Sequence, residues 1–194
     1  MPIFEPHAFD PTAFMSGQVI SKSWLCDELN VILARLFPKE SPPDVWILGG
    51  WYAMTNFLLQ ARESHVRNVT SFDIDPEATH GALILNEAFE HLKTFRAITQ
   101  DVFTLDYTAH GPVPKVVINT SAEHMSREWY DLIPEGTLVI VQSNDMPHDD
   151  HDHNHASTDE LLKDFPLRLT LFAGDLPFDY GEWKFSRFMI IGIK

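Results

Sequence analysis

Two adjacent glycines, Gly49 and Gly50, close an apolar run that begins at Val45, and an acid, Asp73, closes the next such run 24 residues after Gly49. The segment VWILGGWYAMTNFLLQARESHVRNVTSFDID therefore reads as strand, tight turn, helix and strand. In an open parallel sheet, ligands lie outside the carboxyl ends of the strands. Glycines there let a ligand approach bare backbone, and an acid after the second strand can grip a ribose diol. This pattern commits the chain to a βαβ unit and places the site at its carboxyl edge.

The rest of the chain continues the alternation. Short apolar runs near 45–49, 69–73, 95–99, 115–119 and 137–142 predict strands. Helical spacing predicts helices near 52–63, 76–92 and 124–132, the second opening on Pro76 and carrying Ala82, Leu85, Phe89 and Leu92 on one face. Strand–helix alternation argues for a parallel α/β sheet. Ahead of it, Leu25, Leu29, Ile32, Leu33 and Leu36 mark an amphipathic helix over 19–37, closed by Pro38, Pro42 and Pro43. The stretch up to Gly17 holds Pro2, Pro6 and Pro11 among Phe4, Phe9 and Phe14, and should be irregular but held down by its aromatics, as a lid or as packing. After a polar loop at 143–157 come a short helix near 158–164 and two runs, 168–173 and 185–193. A Gly/Pro/Asp-rich link of about a dozen residues joins them, which suits an antiparallel pair better than a helical crossover.

The expected architecture is thus a Rossmann-like, mostly parallel seven-stranded sheet with an antiparallel C-terminal hairpin and helices on both faces. We expect one domain over 1–194, with an N-terminal extension and helix over 1–40 and the core over 41–194. A chain of 194 residues, 44% hydrophobic, can bury one good core and not two comfortable ones. The net charge of −14, from 28 acids against 14 Lys and Arg, repels polyanions, and no basic stripe offsets it; nucleic acid is not expected as a partner. A lone Cys26 excludes an internal disulfide. The start MPIFEPHAFDP lacks the basic and apolar regions of a leader, and no apolar run approaches the roughly 20 residues of a membrane span. A cytoplasmic protein without membrane partners is the simplest expectation; oligomeric state stays open, with a homo-oligomer allowed.

Trp51, Ala53 and Met54 follow the glycine pair where G-x-G-x-x-G would continue. A pyrophosphate needs that pattern, because it sits against bare backbone at a helix start. S-adenosylmethionine (SAM) carries no phosphate and tolerates bulk there, so the departure favours SAM over NAD. VWILGG, SFDIDP, TQDVF and VVINTS, taken with a layout of five wound strands and a final hairpin, resemble the class I SAM-dependent methyltransferase superfamily over residues 40–194. FDIDP also resembles the corresponding segment of nicotianamine synthases, which transfer the aminocarboxypropyl arm of SAM on the same fold.

The resemblance implies roles residue by residue. Asp73 would accept both ribose hydroxyls, Gly49 and Gly50 would line the methionine arm, and Asp101 would face the adenine amino group with the Val102 amide beside it. Asn119 would lie near the reacting carbon. Trp51 and Met54 depart from the family pattern and leave the path of the amino-acid tail open. Asp75 reads as a helix cap, and Asp101 is equally an ordinary turn residue.

The stretch Asn119-Thr120-Ser121-Ala122-Glu123-His124-Met125 reads as the chemical centre, with Glu123 or His124 as a general base. Thr120-x-x-Glu123 is also a capping box, which would occupy both side chains at a helix start. Gln142-Ser143-Asn144-Asp145 reads as a loop at the same edge. The tract His148–His155 is expected to be a solvated loop, with metal ligation by His151, His153 and His155 the lesser reading and no metal assigned. Tyr180 and Trp183 read as a self-packed loop, or as a wall for a cationic acceptor. The function implied is a SAM-dependent transferase, most simply a methyltransferase on a small-molecule acceptor. The alternatives are arm transfer or SAM cleavage on the same fold, and a binding protein that has lost the chemistry.

Overall fold

The computed structural model describes residues 8–194; Pro2, Phe4 and Pro6 of the aromatic N-terminal stretch lie outside the described residues. Seven strands form one sheet: β1 (Val45–Leu48), β2 (Val69–Asp73), β3 (Phe95–Thr99), β4 (Val116–Asn119), β5 (Leu138–Asn144), β6 (Leu169–Asp179) and β7 (Lys184–Ile193). Their order is β3-β2-β1-β4-β5-β7-β6, with the first five parallel and β7 antiparallel to both β5 and β6. Strand order reverses between β1 and β4, so a crevice opens at their carboxyl ends, where Gly49 and Thr120 follow them.

Alternate side chains of each strand enter opposite cores, as the two-residue period of a strand requires. Val45, Ile47, Val116, Ile118 and Ile140 pack with Leu25, Leu29 and Leu33 of α1 (Ser16–Leu36), Leu59 of α2 (Met54–Ala61) and Ala82 of α3 (Pro76–Leu85). Trp46, Leu48, Val117, Val139 and Val141 face the other way. They meet Trp129 and Tyr130 of α5 (Glu128–Asp131) and Leu161 of α6 (Thr158–Asp164). Helices therefore cover both faces, and among the described residues none is long and apolar enough to cross a membrane.

Several boundaries differ from expectation, each for a local reason. The stretch before Gly17 contains a 3-10 turn, Pro11–Phe14, capped by Asp10, and α1 begins at Ser16. Phe9 packs edge-on against Phe14 and Tyr52, so this part is held down by its aromatics. The single helix expected over 76–92 breaks at Asn86 into α3 and α4 (Glu87–His91). Asn86 is pulled inward, donating to the Ala82 carbonyl (2.9 Å) and accepting from Asn56 (2.9 Å). Asp75 caps α3 through the Glu77 amide at 2.8 Å, as read from the sequence. The helix expected over 124–132 is a 3-10 turn, Ala122–His124, then extended Met125, then the short α5.

The largest corrections fall in the C-terminal third. The link of about a dozen residues between the last two runs is mostly strand: β6 continues to Asp179, leaving only 180–183 as a turn. Pro177 misled the reading, because proline is excluded from central strands but tolerated at an edge, which β6 is. Tyr180 and Trp183 are exposed in that turn, with the Tyr180 hydroxyl 3.0 Å from Ser16 Oγ. Gln142, Ser143 and Asn144 are likewise not loop but the buried end of β5.

Candidate functional site

At the turn after β1, Gly49 adopts φ +60°, and a Cβ there would lie 2.8 Å from the Met125 methyl. A Cβ on Gly50 would lie 2.0 Å from Ser71 Oγ. The left-handed φ favours glycine at Gly49, and a side chain at Gly50 would have to displace Ser71 Oγ, as expected of a close-approach turn. Trp51 and Ala53 follow at φ 48° and 51°, a conformation that side chains resist, so the loop needs an external hold. Asp73 supplies it: its Oδ2 accepts from the Trp51 amide at 2.7 Å and its Oδ1 from the Asp75 amide at 3.1 Å. Burial pushes the Asp73 carboxyl above its ordinary range, against the pull of the Asp75, Trp51 and Ile74 amides. A carboxylate offers about four lone-pair sites, more than these amides fill, so Asp73 keeps capacity to accept from a ribose hydroxyl.

Asp73 and Gly49 line an open pocket of about 430 Å³ with Trp51, Ile74, Asp101, Val102 and Phe103. Exposed Ile74 and Phe103 give it flat apolar surface above the carboxyl ends of the strands. Asp101 lines the pocket and also does the turn work foreseen for it, capping a 3-10 turn through the Phe103 amide at 2.9 Å. A second groove of about 430 Å³, lined by Asp44, Thr70, Arg96 and His110, lies at the amino ends of the strands, away from the crevice.

A smaller cavity of about 80 Å³ adjoins the main pocket and shares Gly49, Trp51, Ser121 and His124 with it. Its other walls include Gly50, Lys22, Glu123 and Arg187. Glu123 is not part of a capping box. Its Oε1 accepts from Arg187 Nη1 at 3.0 Å and from Asn144 Nδ2, while Oε2 is buried without a partner. Both charged side chains are nearly sealed from solvent, 2% and 8% exposed. Asn119 is fully buried, its Oδ1 accepting from the Ser121 amide at 2.8 Å and its Nδ2 set against Met125 sulfur at 3.3 Å. It braces the turn behind the wall. His124 stands at the junction of the two cavities with Nδ1 3.0 Å from the Asp150 carbonyl. In the neutral ring a bond to a carbonyl puts the proton on Nδ1 and leaves the lone pair on Nε2.

The sequence reading missed Lys22 and Arg187. Arg187 stands in the run RFMII, where an arginine amid strand apolars signals a buried counter-ion, and Lys22 lies on α1 far from the motifs. Burial and then the Arg187 charge push the Lys22 amine down to about 7, partly offset by Glu123. The unfolded chain holds this proton up to about 10.5, so the Lys22 charge opposes folding fully below pH 7 and not at all above 10.5. Lys22→Met should therefore gain Tm over the parent most at pH 6, with the pH-dependent gain vanishing toward pH 10.5. A difference independent of pH over that range would show Lys22 to be solvated.

The histidine tract is a loop with mostly exposed side chains, as expected, but its backbone is tied down and His155 turns inward. The Asp152 and His153 amides donate to the Glu123 carbonyl (2.8 and 3.1 Å), and the His155 amide donates to the Asn144 carbonyl (3.2 Å). His155 is 1% exposed. The tract is pinned to the very segment that carries Glu123 and His124.

By sequence the chain matches no protein-family model and no curated protein. By structure it is similar to a candidate sarcosine dimethylglycine methyltransferase from Galdieria sulphuraria, with TM-score 0.63 at 13% identity, covering 97% of this chain and 92% of that one. It is also similar to the N-terminal domain of EvdMO1 solved with S-adenosylhomocysteine bound, with TM-score 0.60 at 12% identity, covering 96% and 85%. The [4+2]-cyclase SpnF gives TM-score 0.61 at 12% identity, covering 88% and 80%. The fold is thus the Rossmann-like fold of the class I methyltransferases, and these identities carry nothing finer than the fold.

Proposed function

We propose that the chain binds SAM and transfers its methyl group to a small-molecule acceptor. The observation that carries this reading is the pair of joined cavities at the switch point: a larger one edged by Asp73, Asp101 and Val102, and a smaller one lined by glycines and charges of both signs. The first suits an adenosine, with Asp73 on the ribose diol and Asp101 and Val102 on the adenine. The second suits an aminocarboxypropyl arm, with Glu123 facing its ammonium and Lys22 and Arg187 its carboxylate. The sulfonium then falls at the junction, beside His124. Methyl transfer is an in-line displacement in which the protein chiefly positions the reactants. His124 Nε2 takes the acceptor's proton where the acceptor arrives protonated. That an EvdMO1 domain of this fold holds S-adenosylhomocysteine supports cofactor binding, while SpnF, a cyclase of the same fold, means that the fold alone does not select the reaction.

Calorimetry with SAM, S-adenosylhomocysteine and NAD, followed by product analysis on the parent and on His124→Asn, tests the reading. SAM and S-adenosylhomocysteine should bind and NAD should not. S-adenosylhomocysteine should be the product, with turnover about 10²–10⁴-fold lower in His124→Asn at nearly unchanged SAM affinity. Release of 5′-methylthioadenosine would replace methyl transfer by transfer of the arm. Binding with neither product would leave a SAM-binding protein, and no binding would end the proposal.

A further inference from the structure

Among the described residues, two groups of three bring imidazole and carboxylate donors within 4.8 Å of one another: Glu123, His124 and His151, and His153, His155 and Asp164. They differ in what surrounds them. Glu123 already faces the Arg187 guanidinium, a fixed positive charge that opposes a cation. The second group has no such neighbour, and its donors converge: Asp164 Oδ2 lies 3.0 Å from His153 Nε2 and 3.1 Å from His155 Nε2. In a tetrahedral zinc site with bonds of about 2.0–2.1 Å, neighbouring donors lie about 3.3 Å apart. The two distances to Asp164 reach that spacing on opening by a few tenths of an ångström, and all three donors already lie within 4.8 Å of one another.

The supports of a ligand set are also in place. His155 is buried, and its other ring nitrogen, Nδ1, lies 2.8 Å from Ser143 Oγ at the end of β5, the second contact that fixes the orientation of a metal-bound imidazole. Asp164 ends α6, and the His155 amide is tied to Asn144. His153, 60% exposed, and Asp164 face solvent, leaving a fourth position for water. The acids Asp149, Asp150 and Asp152 in the same tract make the local field favourable to a cation.

We propose that His153, His155 and Asp164 bind one zinc ion. It clips the histidine tract to α6, and through the Asp152 and His153 amides on the Glu123 carbonyl it fixes the Glu123–His124 segment at the cavity junction. The site does not depend on the reaction proposed above.

The test uses the full chain without an affinity tag, stripped with chelator and titrated with zinc by calorimetry, with Tm measured at each stage. One zinc per chain should bind and raise Tm. His153→Ser and Asp164→Asn, both at exposed positions, should weaken binding at least about tenfold, and Ser143→Ala about 10–100-fold. His148→Ser and His151→Ser should leave it unchanged. Melting curves of the stripped variants separate loss of ligation from loss of fold. Absence of stoichiometric zinc, binding indifferent to His153→Ser and Asp164→Asn, or binding lost in His151→Ser would each overturn the site, the last by assigning the ion to the other group.

Discussion

Glu123→Gln is expected to lower the unfolding free energy by about 3–5 kcal/mol, the typical result of removing one partner from a buried ion pair. For a chain of this size that is a fall in Tm of roughly 6–20 °C. The amide keeps the shape of the side chain but removes the charge facing Arg187, whose Nε already lacks a partner. The guanidinium is then left buried without a counter-ion. Had Glu123 closed a capping box, glutamine would be an accepted substitute and the change would stay within about 1 kcal/mol. Denaturant unfolding distinguishes the two outcomes. The double variant Glu123→Gln with Arg187→Met should regain most of the loss, because no unpaired charge remains. Turnover in Glu123→Gln can be interpreted as chemistry only once the folded fraction is known.

Asp73→Ala should weaken SAM binding at least about tenfold, since a charge-assisted pair of hydrogen bonds is worth on the order of 1.5–3 kcal/mol. A second effect adds to it. The same carboxylate holds the Trp51 amide, and Trp51 and Ala53 occupy left-handed conformations that do not persist unaided. Asp73→Asn separates the two contributions: its amide oxygen can still accept from one backbone amide while the charge is lost. If the turn dominates, Asn should bind SAM closer to the parent than Ala does; if the diol contact dominates, the two should be similarly weak. Parental affinity in a folded Asp73→Ala would remove Asp73 from the ribose.

The parallel half of the fold was legible because its residues have one reason to be where they are. Val45–Leu48 is an apolar run ended by glycine and Val69–Asp73 a run opened by valine and ended by phenylalanine and acid, and the strands lie there. Legibility failed where polar residues are buried by partners distant in sequence. Gln142, Ser143 and Asn144 look like loop because nothing nearby shows that Ser21, His155 and Glu123 wait for them inside. Asn86 reads as a helical residue until Asn56 is seen to capture it. The candidate site divides the same way. Gly49, Asp73 and Asp101 follow from local pattern and do line the main pocket, whereas Lys22 and Arg187 reach the smaller cavity through topology alone.

The outer strand β6 has a bearing on how copies of this chain meet. Ser186, its partner opposite Pro177, turns both main-chain groups toward Asp145 on the other side: its amide donates to Asp145 Oδ1 at 2.7 Å and its carbonyl accepts from the Asp145 amide at 3.3 Å. Pro177 and Ser186 thus form a pair without hydrogen bonds between them, and the proline nitrogen faces outward. An incoming strand would find no donor there, a break in register between Thr170 and Phe172, and the charges of Asp175 and Asp179 along its path. The longest strand of the sheet is thereby protected against templating the edge-to-edge growth that exposed strands invite.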